Sequence, residues 1–413
     1  MNRYFNEKSN YDKYPVVNVP GMEEECRVGW RAISDRLEKD LSQIGKKVKV
    51  VVLECYQGVS DEEVVTALQS AFPASRWFFS ADAMKSPEQI DAILKQDITE
   101  DEIFGYMTRQ NMDCYFDGDK LPGIRSEIAA ITEGIVFVYG VGAAYVQPSY
   151  DLLVYADMAR WEIQMRFRRN EVSNVGISNR EERASLQYKR AFFVDWRICD
   201  RFKKKLMKKW DYVLDTNTAG NPKMATAKAI EAGLEKASRT PFRVVPFFDP
   251  GPWGGQWMKE VCDLDREVPN FAWCFDCVPE ENSLYLGFGD VRFALPSIDL
   301  VFAYPARLLG NPVYGRFGDE FPIRFDFLDT MEGGNLSLQV HPLTQYIQEK
   351  FGMHYTQDES YYMLDAAEDA TVYLGVKEGI EPEEMIDALN EAQESGYFDA
   401  EKYVGLSLIH ISE

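Results

Sequence analysis

The sequence predicts two domains of different class: an N-terminal α/β domain built on a doubly wound parallel sheet, and a C-terminal mainly-β domain of sandwich or jelly-roll type. Three observations predict this. β-branched runs alternate with capped, helix-periodic stretches as far as Asp215. A turn-rich stretch, Thr216-Asn-Thr-Ala-Gly-Asn-Pro222, and a break at Ser238-Arg-Thr-Pro241 follow. Beyond them the text becomes short alternating runs separated by Gly and Pro. A chain of 413 residues is also long enough for two cores. The expected division is 1–240 and 241–413.

In the first half, Lys47-Val-Lys-Val-Val-Val-Leu53 reads as a buried parallel strand. The helix from Asp61 to Phe72 follows, with Ser60 as N-cap and Glu63 as its capping-box partner. Arg76-Trp-Phe-Phe-Ser80 is a strand, and Ser86-Pro-Glu-Gln-Ile-Asp-Ala-Ile-Leu94 a helix with Pro at its first position. Gly134–Gly140 and Asp151–Asp157 are two more buried strands, and Met158–Arg168 is a helix carrying basic residues. Lys223–Lys236 reads as an Ala-rich helix.

Roughly from residue 40 to 220 this layout resembles the P-loop kinase-like fold of small-molecule and nucleoside kinases. The shared order is strand, loop and helix, then a strand ending in Asp157, an Arg-rich helix, and a late helix and strand at Lys203–Asp215. The first loop departs from it. A phosphate loop needs glycines, a lysine and a hydroxyl. Glu54-Cys-Tyr-Gln-Gly-Val-Ser-Asp-Glu-Glu63 has one glycine, no lysine and four carboxylates. The half is therefore expected to be a degenerate sugar- or nucleotide-binding module or a scaffold. Gly140-Val-Gly142 reads as a tight turn after a strand.

Net charge of −22 argues against nucleic-acid binding. The local basic run Arg201-Phe-Lys-Lys-Lys-Leu-Met-Lys-Lys209 reads as a solvated helix face, with a phosphate contact as the sharper reading. No apolar run reaches membrane-spanning length, and Met1–Lys8 lacks the apolar core of a signal peptide. Seven scattered cysteines fit reduced thiols in a cytoplasmic protein. Cys274-Phe-Asp-Cys277 reads as strand or turn cysteines rather than a metal knuckle.

In the second half, strands are expected at Phe242–Phe248, Leu284–Phe288, Asp290–Phe293, Ile298–Ala303 and Phe321–Asp329. Asn335-Leu-Ser-Leu-Gln-Val-His-Pro342 alternates apolar and polar residues, so Ser337, Gln339 and His341 share one face of a strand. His341 is one of only three histidines. Glu359 opens a second strand-like run, Glu359-Ser-Tyr-Tyr-Met-Leu-Asp-Ala366. An imidazole nitrogen, a carboxylate and an amide oxygen suit a catalytic zinc with an open position.

These two blocks, with Trp253-Gly-Gly255, Phe321–Asp329 and Val372–Gly379, resemble type I phosphomannose isomerases, zinc-dependent cupins, over roughly residues 242–404. The resemblance implies a zinc enzyme that interconverts mannose 6-phosphate and fructose 6-phosphate. It makes His341 and Glu359 metal ligands and Gln339 a further ligand or close neighbour. Ser337 would line the sugar-phosphate pocket and Trp253 would wall the cleft. Isomerisation also needs a general base; none can be named. The family commonly has a lysine two residues before the metal-binding glutamate, and Gln357 stands there. The alternative is a non-catalytic sugar-phosphate- or nucleotide-binding regulatory protein.

The family takes another histidine after a Pro-Ala-Gly turn, which is not found here. Residues 406–413 read as a non-native tail, and His410 as no substitute. The chain is thus expected to be C-terminally truncated, to bind zinc poorly and to have negligible isomerase activity. Its oligomeric state is open.

Overall fold

The computed structural model describes residues 8–408, so Met1–Glu7 and the end of the expected tail, with His410, lie outside the described residues. The strands in chain order are β1 (Val16–Asn18), β2 (Cys26–Val28), β3 (Val48–Cys55), β4 (Arg76–Phe79), β5 (Gly134–Gly140), β6 (Leu152–Asp157), β7 (Tyr212–Asp215), β8 (Lys223–Thr226), β9 (Phe247–Asp249), β10 (Trp273–Cys277), β11 (Ser283–Phe288), β12 (Val291–Pro296), β13 (Phe325–Leu328), β14 (Thr371–Val376) and β15 (Val404–Leu408). They pack in two units, one up to Thr356 and one from Gln357.

A seven-stranded sheet ordered β2-β8-β7-β6-β3-β5-β4 organises the first unit. β4, β5, β3, β6 and β7 are parallel neighbours, whereas β8 runs antiparallel to both β7 and β2. The centre of this sheet is β-branched and fully buried, as its unbroken apolar runs require. Local chemistry sets the element ends. Ser86 and Gln89 form a reciprocal capping box with Pro87 at the first turn. Ser60 caps its helix, but Glu63 turns away from the expected box to accept from Trp30 Nε1 and the Gly220 backbone.

The expected two-domain split, a kinase-like α/β domain followed by a jelly-roll cupin, is overturned. The chain crosses residue 240 without a break in packing. β11 pairs parallel with β1 near the other end of the chain, and antiparallel with β12. Leu284, Leu286, Phe288, Phe293, Leu295 and Leu300 belong to the same hydrophobic core as Val51, Val138 and Val154. The helix Ala227–Ala237 packs so close to β11 that a Cβ on Gly233 would meet Leu286 at 2.5 Å. The first unit is thus one continuous α/β fold carrying further three-stranded sheets, β1-β11-β12 and β13-β10-β9. No jelly roll forms, because much of its expected strand content is helical or irregular. Ile298–Ala303 is a helix, followed by the helices Pro305–Leu309 and Asn311–Phe317. A short apolar run fits a buried helix as well as a strand, and periodicity alone could not separate them. Lys223–Thr226 is likewise a strand before the Ala-rich helix begins.

The second unit is small. β14 and β15 pair antiparallel, with Leu406–Leu408 of the expected tail bonded to β14. The helix Pro382–Ser395 starts with its proline in the first turn, and Met385, Tyr403 and Val404 form the core. No helix of the described residues is long and apolar enough to cross a membrane. The seven cysteines are free, with Cys274 buried and Cys277 partly so on β10.

Candidate functional site

The residues singled out in the second half fall into different settings. Trp253 is 6% exposed and packs edge-on against Trp273 at 4.8 Å. It sits in a glycine turn clamped to the turn after β13: Gly334 N donates to Trp253 O at 3.0 Å and Gln256 N to Met331 O at 2.9 Å. Gly254 and Gly255 are required by close approach, since a Cβ at either would lie 2.1 Å from a side-chain oxygen, of Asn270 and Asp329 respectively. Asp329 is the bracket of this corner, accepting from the backbone of Met258 at 2.8 Å and Met331 at 3.0 Å. The chain leaves this clamp directly into Ser337, Gln339 and His341, all exposed and in irregular structure rather than on a strand. Leu338 and Val340 are exposed as well, at 47% and 80%. Glu359 belongs to the second unit, where it is exposed and accepts from Tyr361 Oη at 2.5 Å and Gln357 Nε2 at 3.3 Å. Among the described residues no three His, Cys, Asp or Glu side chains converge as a metal site. A set of one imidazole, one carboxylate and one amide falls outside that criterion.

A second set of chemical groups gathers at the carboxyl ends of β3, β6 and β7, the side of an α/β sheet where ligands usually bind. Lys203, 1% exposed, donates to both oxygens of Asp157 at 2.7 and 2.8 Å and to Asp299 at 3.0 Å. Burial alone would lower its pKa, but the charges of Asp157 and Asp299 outweigh that and raise it. Asp299 is pushed well above the carboxylate range by burial and then by Asp157. Beside them Arg160 pairs with Asp200, and Tyr56 donates to Asp200 at 2.9 Å. Lys203 lies 4.5 Å from the Tyr56 ring centre. Asp215 accepts from Lys223 at 3.1 Å and from Ala294 N at 2.9 Å.

The loop expected to repel phosphate begins with a buried carboxyl group. Glu54, 1% exposed, accepts from Gly142 N at 2.7 Å and Ala144 N at 2.8 Å. Burial raises its pKa to about 8 against the pull of those two N–H groups. Gly142 is left-handed at φ 78°, and a Cβ there would strike Phe116 at 2.5 Å. The glycine turn after β5 thus presents backbone N–H groups, and the chain's own carboxyl group takes them.

Sequence reasoning missed Lys203 by reading its whole basic run as solvated. The signal was present: Trp196, Cys199, Asp200, Lys203 and Leu206 recur at helical spacing and are the buried face of the helix Trp196–Leu206. Lys204 does face outward, pairing with Asp319 at 2.8 Å. Just before this helix, Ala191–Asp195 form a π turn that joins it to the helix Ala184–Arg190. There Asp195, fully buried, accepts from Tyr115 at 2.5 Å and Asn174 at 2.8 Å.

Residues 29–239 match the family model of a domain of unknown function, DUF8485. The chain belongs to that family. The matched region runs from just after β2 through β8 and the helix behind it. It includes Glu54, Tyr56, Asp157, Arg160, Asp200 and Lys203, whereas Asp299 and all residues from Trp253 to Glu359 lie outside it. No curated protein matches the chain.

Proposed function

We propose that the part of the chain beyond the DUF8485 region carries the site of an aldose–ketose isomerase acting on mannose 6-phosphate and fructose 6-phosphate. The observation that carries this reading is the block Gln339-Val-His-Pro342 followed by Glu359-Ser-Tyr-Tyr-Met-Leu-Asp-Ala366, as in type I phosphomannose isomerases. The clamp between the Trp253 turn and the Gly334 turn supports it, because it ties together two blocks distant in sequence.

Gln339, His341 and Glu359 are the residues that would hold zinc, and bound zinc would polarise the sugar carbonyl and stabilise an enediolate. Ser337 would offer its hydroxyl to the sugar phosphate. Trp253 is buried, so its part is to fix the start of the Ser337–His341 segment. With one strong nitrogen donor and one carboxylate, zinc affinity is expected to be weak.

Gln357 favours a second reading, a non-catalytic sugar-phosphate-binding protein. Its amide, 3.3 Å from Glu359, brings no positive charge to a phosphate. Cobalt(II), a spectroscopic substitute for zinc, tests both. Titration into the full chain should produce visible absorption that is lost in His341→Ala and in Glu359→Gln. A spectrum indifferent to both substitutions would sink the isomerase reading. Any fructose 6-phosphate formed from mannose 6-phosphate in a coupled assay with zinc would exclude the binding protein.

A further inference from the structure

Two buried hydrogen-bond donors beside the carboxyl end of β6 lack an acceptor among the described residues. They are Arg160 Nη1 and Trp196 Nε1. They belong to stacked groups, with the Arg160 guanidinium carbon 5.0 Å from the Trp196 ring centre, and both residues are buried. Arg160 spends its other nitrogens on Tyr56 and Asp200. Arg197 follows Trp196 in sequence. Its Nε donates to Phe192 O at 2.9 Å and its guanidinium lies 4.7 Å over the Phe192 ring. Among the described residues Arg197 has no carboxylate within ion-pair distance, and it is partly exposed.

Asp200 neutralises Arg160, and Arg324 pairs with Glu280 at 2.6 Å. The charge left uncompensated in this cluster is that of Arg197. Its pKa is held below the ordinary value by burial first and then by Arg160, which places the two cations in each other's field. Glu280 acts on both guanidinium groups in the opposite sense, and its Oε2 is buried without a donor among the described residues. Tyr188 and Phe192 stack 5.8 Å apart, and Tyr188 meets Trp196 edge-on at 5.5 Å, so the wall is aromatic. Buried donors are rarely left unmade in folded proteins, because losing water without replacement is costly. Guanidinium and indole N–H groups can only donate, so what satisfies them must accept.

We propose that Arg160, Trp196 and Arg197 form a binding site for a small oxyanion, a phosphate or a carboxylate, with Glu280 Oε2 receiving a hydroxyl of the same ligand. Arg197 stands on the exposed side, where the anion would enter. Arg160 Nη1 and Trp196 Nε1 then take its oxygens at the buried end. Paired guanidinium groups suit the planar or tetrahedral oxygens of such anions. This site is independent of the one built on His341 and lies within the DUF8485 region except for Glu280.

Inorganic phosphate and, separately, acetate are the probes, titrated into the full chain at constant ionic strength. The readout is the indole N–H resonance of Trp196, assigned by its loss in Trp196→Phe, which keeps the ring under Arg160. Saturable movement of that resonance by phosphate or by acetate is expected, the stronger of the two naming the anion class. Arg197→Gln should weaken binding roughly tenfold, in line with the loss of a charged hydrogen bond. Binding by calorimetry should also weaken in Trp196→Phe. A resonance unmoved by either probe, an equal response to chloride, or binding unchanged in both variants would overturn the site.

Discussion

At the carboxyl ends of β3, β6 and β7, ionisable side chains are buried and answer one another: Lys203 between Asp157 and Asp299, Arg160 on Asp200, Glu54 on two backbone N–H groups. In the segment from Ser337 to His341, polar side chains of equal chemical interest stand exposed on backbone with no regular structure. The first region has its geometry imposed by the core, and its groups are largely committed to each other. The second is tied at its root by the turn clamped to Trp253, and its side chains are exposed. Buried groups of this kind determine stability and its pH dependence; exposed ones can be altered with little effect on the fold. The difference can be tested by substitution in each region.

The largest effect is expected from Lys203→Met. It leaves Asp157 and Asp299 buried together without their cation, a change of about 3–5 kcal/mol for a broken buried pair. Denaturant unfolding would measure it, and adding Asp299→Asn should recover part of the loss. A Lys203→Met chain as stable as the parent would mean that the cluster is hydrated and the contrast false.

Glu54 gives a smaller, pH-dependent effect. Its pKa rises from 4.5 in the free side chain to about 8 in the fold. A raised carboxyl contributes stability that is fully present below pH 4.5 and lost as pH climbs through 8. Between pH 5 and 9 the melting temperature of the parent should therefore fall more steeply than that of Glu54→Gln, which cannot titrate. Parallel curves would show the two N–H bonds prevailing over burial.

His341→Ala should change stability least, within about 0.5 kcal/mol, as expected of an exposed side chain. A much larger loss by the same unfolding measurement would place His341 in a structural role and bring the two regions closer in kind.

Much of the central sheet could be read from the chain because a buried parallel strand leaves an unbroken β-branched run, as in β3, β5 and β6. Caps were legible for the same local reason, with Ser86, Gln89 and Pro87 needing only their neighbours. What failed depended on distant partners. Nothing local in Val16–Asn18 announces that it will pair with β11, and that pairing helps erase the expected boundary near residue 240. The alternation from Leu336 to His341 shows which residues could share a face, but a strand also needs a neighbour for its backbone bonds. Lys203 was hidden by its company, since an inward lysine amid outward ones betrays itself only through the helical phase. Of the proposed zinc ligands the sequence supplied identities, while His341 and Glu359 fall in separately packed units.

The π turn at Ala191–Asp195 gives the run from Ala184 to Leu206 a sensitivity to length. Such a turn holds one residue more than an α-helix would, and each residue advances a helix by about 100°. Gln187 and Arg190 meet the core before the extra residue is absorbed, and Trp196, Asp200 and Lys203 meet it afterwards. Both stripes can face inward only because the phase is reset between them. Deleting one residue from the turn would keep nearly all of the composition and swing Lys203 a quarter-turn or more from Asp157. Along this stretch the spacing of residues is as much part of the design as their identity.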